Sequence, residues 1–200
     1  MNTLAGKNIL IVGVKFYHYN EEIISKLEKS GANVTFFHER DITIKHAIID
    51  AFFNQYMMAW QEKHYAGILK QIAGKQFDYL LVIRGFMMPL DFVDRVKQLN
   101  AGIKTIMYQW DSLHNWDYRE KIPLFDRSYT FDYNDAEQLG LKYVPTFHTD
   151  EFSNLQPVKI EYDLFFFGNF TRERYDKMQE LIAFAQSRGY RLKTHLYMGY

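Results

Sequence analysis

The sequence contains no cysteine among its 200 residues. This absence excludes a disulfide framework, a thiolate nucleophile and a zinc site built on cysteine. An excess of charge of either sign is also missing, because 24 Lys and Arg residues balance 24 Asp and Glu residues. A chain without net charge has no overall field that would attract nucleic acid, so no nucleic-acid partner is expected.

Long hydrophobic runs are missing as well. No stretch approaches the ~20 apolar residues that cross a bilayer. The apolar run at residues 9–14, which follows Lys7, is too short for the core of a secretory signal, and no small-residue cleavage site follows it. We therefore expect a cytoplasmic protein whose contact with a membrane, if any, is peripheral.

Two nucleotide-binding motifs are absent. Gly13 follows the first predicted strand, but Lys15 and His18 occupy the positions of the next two glycines in a G-x-G-x-x-G motif. The sequence also contains no G-x-x-x-x-G-K-[ST] phosphate loop. A dehydrogenase and a P-loop nucleotidase are therefore not expected. The histidines lack metal-ligand spacing, so no metal site is expected either.

The residues that are present predict alternating strands and helices. Apolar runs predict strands at 8–12, 33–37, 78–83, 104–109, 128–131 and 143–144. Helical periodicity appears at 20–30, 45–73 and 134–139, and Pro89 predicts the start of another helix. Asn20 is predicted to cap the first helix and Gly140 to end the last one. This order predicts an α/β fold with a Rossmann-like, doubly wound parallel sheet over residues 1–148.

A second unit is predicted after a linker. Residues 149–161 lose periodicity and include Pro157, which is typical of a linker. A strand at 162–167, a turn at Gly168 and Asn169, a helix at 171–187 and a strand at 191–197 then predict one β-α-β unit. Because so short a segment cannot bury a core of its own, residues 162–200 are expected to be a truncated second domain or an addition to the first.

The ends of the predicted strands collect the candidate site residues. In open α/β sheets the ligand lies beyond the carboxyl ends of the strands. The candidates at that rim are His18 after the first strand, Arg84 after the third, and Trp110, Asp111, His114 and Asn115 after the fourth. Aromatic faces stack on sugar rings and charged groups bind hydroxyls, so this rim is predicted to bind a sugar. Asp111 directly follows a buried strand, where an acid is costly without a role.

The second unit has a candidate phosphate site. The sequence runs from an apolar strand through Gly168 and Asn169 into a helix that Thr171 can cap. Backbone N–H groups at such a turn suit a phosphate, and Arg172 or Arg174 would add a positive charge. The alternative is an exposed arginine pair on the first turn of a helix.

Three segments resemble a known family. They are YQWDSLHN at 108–115, SYTFDYNDAEQLGLKYVPTFH at 128–148 and YDLFFFGNFTRERYDKMQELI at 162–182. They are similar to the CgeB-like glycosyltransferases of spore maturation and of capsule or lipopolysaccharide biosynthesis. The resemblance implies a metal-independent GT-B fold, in which an N-terminal domain holds most of the acceptor and a C-terminal domain holds the nucleotide sugar.

The resemblance also implies residue roles. Gly168, Asn169, Arg172 and Arg174 would contact the diphosphate of the nucleotide sugar, which is the co-substrate in place of a cofactor. The base is expected to be Asp111, which lies in the loop facing the cleft, or His18, which lies where some other GT-B enzymes have a base. The acceptor would be a cell-surface polysaccharide or lipopolysaccharide, and thus a saccharide or a glycolipid. Because family members are longer, the 200-residue chain alone is expected to be inactive. The alternative is a non-catalytic Rossmann-like binding or scaffold module of a surface-polysaccharide system.

Overall fold

The computed structural model describes residues 3–41, 56–153 and 155–197. The chain divides into two compact units, which are residues 1–149 and residues 150–200. In the described parts of the chain, no helix combines the length and hydrophobicity that a bilayer crossing requires.

The first unit contains a six-stranded parallel sheet. Its strands are β1 (Asn8–Gly13), β2 (Asn33–His38), β3 (Tyr79–Ile83), β4 (Lys104–Gln109), β5 (Arg127–Thr130) and β6 (Lys142–Tyr143). Their spatial order is β2-β1-β3-β4-β5-β6, and every neighbouring pair is parallel. The chain moves outward from β1 to β2 and then returns past β1 to β3, so the strand order reverses between β1 and β3. This arrangement confirms the predicted Rossmann-like fold.

Helices cover both faces of this sheet. They are α1 (Tyr19–Lys29), α2 (Met57–Ile72), α3 (Phe92–Leu99) and α4 (Tyr133–Leu139), with a 3-10 helix at Arg119–Leu124. Leu10 and Val12 of β1 belong to a buried cluster with residues of α2 and α3, whereas Ile9 and Ile11 pack with residues of α1. Adjacent strand residues point to opposite faces, so the continuous apolar run of β1 is required for a strand covered on both sides.

The predicted starts of two helices need correction, and a third helix is described only in part. The helix predicted at 45–73 is observed at Met57–Ile72, and its predicted residues 45–55 lie outside the described residues. Asn20 does not cap α1, because it lies within the helix and its Nδ2 donates to the carbonyl of Val14, 2.8 Å away. Pro89 does not open α3, because its carbonyl accepts from the N–H of Phe92 in a turn that precedes the helix.

The second unit is one parallel β-α-β unit. It consists of β7 (Leu164–Asn169), α5 (Arg172–Ser187) and β8 (Leu192–Tyr197), after a 3-10 turn at Asp150–Phe152. Thr171 caps α5 as predicted, because its side chain accepts from the backbone N–H of Arg174. The predicted turn at Gly168 and Asn169 is wrong, since both residues continue β7 and pair with β8.

Phe92 provides a test of how α3 is packed. Its side chain is buried, and its ring centroid lies 4.6 Å from that of Tyr65 on α2. Phe92→Ala should lower the free energy of unfolding by about 3–5 kcal/mol, because it leaves a cavity between the two helices. Gln98→Ala, at an exposed position of the same helix, should change it by less than about 0.5 kcal/mol. Urea unfolding followed by circular dichroism measures both, and equal effects would contradict this packing.

Candidate functional site

A cleft of about 350 Å³ opens beyond the carboxyl ends of β1, β3 and β4. All of its lining residues belong to the first unit, and they are Val14, Phe16, Tyr19, Arg84, Tyr108, Trp110, Asp111, Thr146 and Phe147. The parallel strands bring these residues together because their carboxyl ends lie along one edge of the sheet. The cleft lies where the strand order reverses, which is the usual ligand position in this kind of fold.

Aromatic rings form most of the wall of the cleft. The ring centroid of Trp110 lies 6.1–6.4 Å from those of Phe147, Tyr108, Tyr19 and Phe16. Most of these contacts are edge-on, which is a favoured arrangement of aromatic pairs. Of this group only Trp110 was predicted as a site residue, since Phe16, Tyr19 and Phe147 come from distant segments of the chain and Tyr108 lies within β4.

Phe147 reaches the cleft through a contact made by Tyr108. The hydroxyl of Tyr108 lies 3.2 Å from the carbonyls of both Val144 and Pro145 and can donate to either. This contact holds the segment after β6 against the end of β4. Phe147 was not predicted as a site residue, because the contacts that place it join residues 36 and 37 positions apart.

An ion-pair group lies at one side of the cleft. Nε of Arg84 is 3.1 Å from Oε1 of Glu39 and 3.5 Å from Oδ2 of Asp111. The guanidinium carbon of Arg84 is also 5.0 Å from the ring centroid of Phe86. The side chains of Arg84 and Asp111 are 20% and 28% exposed, whereas that of Glu39 is only 1% exposed. One guanidinium thus lies between a buried carboxylate and a carboxylate that a ligand can reach.

The turn that carries Arg84 has an unusual backbone. The φ angles of Arg84, Gly85 and Met87 are +70°, +72° and +56°. A left-handed conformation costs a residue with a side chain roughly 1–2 kcal/mol, so surrounding contacts must stabilise the turn. Gly85 is required at its position, because an added Cβ would also lie 3.0 Å from Cγ1 of Val82.

Hydrogen bonds from residues at the ends of β4 and β2 hold this turn. The N–H of Arg84 donates to the carbonyl of Tyr108, 2.9 Å away, and Nε2 of Gln109 donates to the carbonyl of Arg84 at 2.7 Å. On the other side, the N–H of Phe86 donates to Oε2 of Glu39 at 3.0 Å. The turn is therefore fastened to β4 by backbone and amide groups and to the end of β2 by one carboxylate.

Burial changes the acidity of Glu39. Removal from water raises the pKa of its carboxyl group from 4.5 to about 7, although Arg84 and the N–H of Phe86 favour the charged form. Glu39 was not among the predicted site residues. The available signal was its position directly after β2, which matches the position of Asp111 near the end of β4.

The loop after β4 is held by a buried acid of α4. Oδ2 of Asp135 accepts from the N–H of Leu113 at 2.8 Å and from the hydroxyl of Tyr118 at 2.7 Å. Burial, and then the bond to Asp135, raise the pKa of the Tyr118 phenol far above its ordinary value. Within the loop, Nδ2 of Asn115 lies 3.3 Å from Oδ1 of Asp111 and donates to it. These contacts hold the loop in the conformation that places Asp111 at the cleft.

The cleft unites some of the predicted residues and leaves others aside. Arg84, Trp110 and Asp111 line it, and Asn115 contacts Asp111. His18 precedes α1 as its N-cap and stacks on Tyr19, and neither His18 nor His114 lines the cleft. The catalytic and substrate-binding roles of all these residues stay predictions. The geometry favours Asp111 over His18 as the base.

The predicted phosphate residues lie together in the second unit. Nη1 of Arg174 donates to the carbonyl of Asn169 at 3.3 Å, so Arg174 folds back over the end of β7 beside Gly168. Nε of Arg172 instead pairs with Asp176 at 3.2 Å, one turn further along α5. The N–H of Phe170 is already used by the carbonyl of Tyr197. A phosphate-binding role for this group stays a prediction, with Arg174 as its best-placed cation.

The described residues contain no group of three or more His, Asp or Glu side chains that could hold a metal ion.

The fold is similar to that of a glycosyltransferase of known structure. No family model matches the sequence, and no curated protein sequence matches it. A solved structure described as the crystal structure analysis of the glycotransferase of kitacinnamycin aligns with a TM-score of 0.54 at 13% identity. The alignment covers 97% of this chain and 66% of that one, so the chain spans about two thirds of its length. At this identity the likeness shows a shared fold.

The acidity of Glu39 predicts a pH dependence of stability. Because its pKa is higher in the folded than in the unfolded chain, the folded state binds the extra proton between pH 4.5 and 7. The free energy of unfolding should therefore decrease by about 3 kcal/mol relative to a Glu39→Gln variant as the pH rises from 4.5 to about 7.5. Urea unfolding across this range measures the difference. Glu62→Gln, at an exposed site of α2, is the control, and a constant gap between wild type and Glu39→Gln would contradict the assignment.

Proposed function

We propose that the protein is a GT-B glycosyltransferase that transfers a sugar from a nucleotide sugar to a saccharide or glycolipid acceptor. The observation that carries this proposal is the aromatic cleft with its Arg84–Asp111 pair, placed at the switch point of a Rossmann-like sheet. The similar fold of a solved glycotransferase supports it. In this proposal residues 1–148 form the acceptor-side domain, 149–161 a linker and 162–200 part of the donor-side domain.

The chemistry of the cleft suits an uncharged, hydroxylated ligand. Sugar rings have apolar faces that stack on aromatic side chains such as Trp110, and their hydroxyls both donate and accept hydrogen bonds. Arg84 supplies donors and Asp111 supplies acceptors, 3.5 Å apart. Arg84 and Asp111 are the charged residues of the lining and balance each other, so the lining carries no excess positive charge to attract a phosphate or a carboxylate. A volume of about 350 Å³ is in the range of small-ligand sites.

Asp111 is the proposed catalytic base for an inverting transfer. Its carboxylate would take the proton from the acceptor hydroxyl as that oxygen bonds to the anomeric carbon. The bond from the anomeric carbon to the diphosphate breaks, and the nucleoside diphosphate leaves with the electron pair. Positive groups must stabilise such a leaving group. In the second unit, considered by itself, the residues proposed to bind a diphosphate are Arg174 and Arg172, with Gly168 and Asn169. His18 is the alternative base.

The finer assignment is to the CgeB-like enzymes of surface-polysaccharide or lipopolysaccharide biosynthesis. It is supported by the sequence stretches at 131–145 and 163–174, which lie around β5–β6 and at the β7–α5 connection. The stretch at 131–145 includes Asp135, which holds the loop bearing Asp111. A role in building the cleft would explain why an acid is required there.

Turnover of an Asp111→Asn variant tests the catalytic assignment. Because the 200-residue chain alone is expected to be inactive, the assay uses the full-length gene product that contains it, incubated with UDP-, GDP- and dTDP-sugars and a panel of saccharides, and measures the nucleoside diphosphate released. Asp111→Asn should lower kcat by about 100-fold or more, because the acceptor hydroxyl loses its base. Asp117→Asn removes an exposed acid of the same loop, outside the cleft lining, and should leave kcat within about twofold.

The same assay decides between the two candidate bases. A large loss of kcat in His18→Ala, with Asp111→Asn unaffected, would transfer the role to His18. Saccharide binding without any release of nucleoside diphosphate would contradict the transferase proposal and favour a non-catalytic binding module.

Trp110 variants test the sugar-binding wall. Trp110→Ala should raise the acceptor KM by about tenfold, because loss of one stacking surface costs about 1.4 kcal/mol. Trp110→Phe keeps a ring at this position and should recover most of the affinity. Acceptor KM values are measured at saturating nucleotide sugar, with thermal unfolding confirming that each variant is folded. Equal KM values for wild type and Trp110→Ala would contradict this use of the wall.

A further inference from the structure

Glu39 lies behind the cleft and not in its lining. It follows β2 directly, and its N–H donates to the carbonyl of Gly13, 2.9 Å away. Its own carbonyl accepts a short hydrogen bond from Nε2 of Gln61, a buried residue of α2. The backbone of Glu39 is therefore held by β1 on one side and by α2 on the other. This backbone is a rigid support for the Glu39 side chain.

The carboxylate of Glu39 makes its contacts with the turn after β3. One oxygen accepts from the N–H of Phe86 at 3.0 Å, and the other lies 3.1 Å from Nε of Arg84. The N–H of Gly85 donates to the carbonyl of Ile83, 3.0 Å away, within the turn itself. One buried acid thus binds both the left-handed backbone of the turn and the side chain that the turn presents to the cleft.

We propose that Glu39 is a positioning residue, which holds the Arg84 guanidinium beside Asp111. Arg84 then offers hydrogen-bond donors, and Asp111 offers hydrogen-bond acceptors, to the hydroxyls of the sugar that receives the transferred group. The contribution to acceptor binding rests on the proposed function, whereas the position of Arg84 can be measured without any ligand. In this role Glu39 acts through Arg84 and does not contact the substrate.

Protonation of Glu39 should loosen this arrangement. The groups that face its carboxylate are Arg84 from the turn after β3, Arg40 beside it in the chain and Tyr65 from α2, with Asp111 on the far side of Arg84. A protonated Glu39 no longer attracts the guanidinium, which then has Asp111 as its remaining acid partner. Because the pKa of Glu39 is about 7, the change should occur near neutral pH.

The Nε–H signal of Arg84 in a ¹⁵N–¹H correlation spectrum tests this inference directly. The signal is assigned by its loss in Arg84→Lys and followed from pH 5.5 to 8.5. In the wild type its ¹⁵N chemical shift should change with a midpoint near pH 7, because the ion pair forms as Glu39 loses its proton. In Glu39→Gln this change should disappear. Arg95 pairs with Asp91 on the exposed side of α3, so its signal is the control and should not follow this titration.

Kinetics test the link to the acceptor. Glu39→Gln should raise the acceptor KM by about tenfold and leave the KM for the nucleotide sugar unchanged, and Glu39→Asp should restore part of the loss. A structural role alone would lower the amount of folded enzyme without separating the two KM values.

The two readouts separate failure of this inference from failure of the proposed function. An Arg84 signal that has the same chemical shift in the wild type and in Glu39→Gln at pH 8.5 overturns the positioning role, even where transfer is observed, and an unchanged Arg95 signal shows that the variant is folded. A titrating Arg84 signal without saccharide binding or transfer upholds the positioning of Arg84 and rejects the proposed function. Equal KM changes for both substrates would reject the link between Glu39 and the acceptor.

Discussion

The cleft depends on one arrangement of charges, in which the guanidinium of Arg84 lies between Glu39 and Asp111. Each of the three groups comes from a different strand end, so the arrangement fixes the relative positions of three loops. It also compensates for the left-handed backbone of the turn that carries Arg84. Burial of the charged Glu39 carboxylate is energetically unfavourable, and this raises the pKa of the group. We expect such a strained and partly desolvated group to be retained for a function.

The surrounding fold makes this arrangement possible. Parallel strands bring their carboxyl ends to one edge, and the reversal of strand order between β1 and β3 leaves the cleft open there. Asp135 holds the loop that carries Asp111, and Tyr108 holds the segment that brings Phe147 to the aromatic wall. The cleft therefore combines rigid polar groups with a surface of aromatic rings, which together suit a sugar.

The fold was largely predictable from the sequence, whereas the site was predictable only in part. A strand covered on both faces requires a continuous apolar run, and β1 and β3 have one. Arg84, Trp110 and Asp111 were found because they directly follow such strands. The contact between Glu39 and Arg84 joins residues 45 positions apart and leaves no local pattern. Gly168 indicated a turn by its residue type, but pairing with β8 keeps it in the strand. Tertiary contacts thus determine both the Glu39–Arg84 pair and the strand conformation of Gly168, which local sequence propensity does not predict.

The central claim is that the aromatic cleft of the first unit binds a sugar. The indole N–H signals of the three tryptophans, followed by NMR during titration with a panel of methyl glycosides and short oligosaccharides, test it most directly. The account predicts that at least one saccharide shifts the signal of Trp110 and leaves those of Trp60 and Trp116 in place, and that the shift is lost in Asp111→Ala. A Trp110 signal that moves with inorganic phosphate or a nucleotide, and with none of the saccharides, would contradict it.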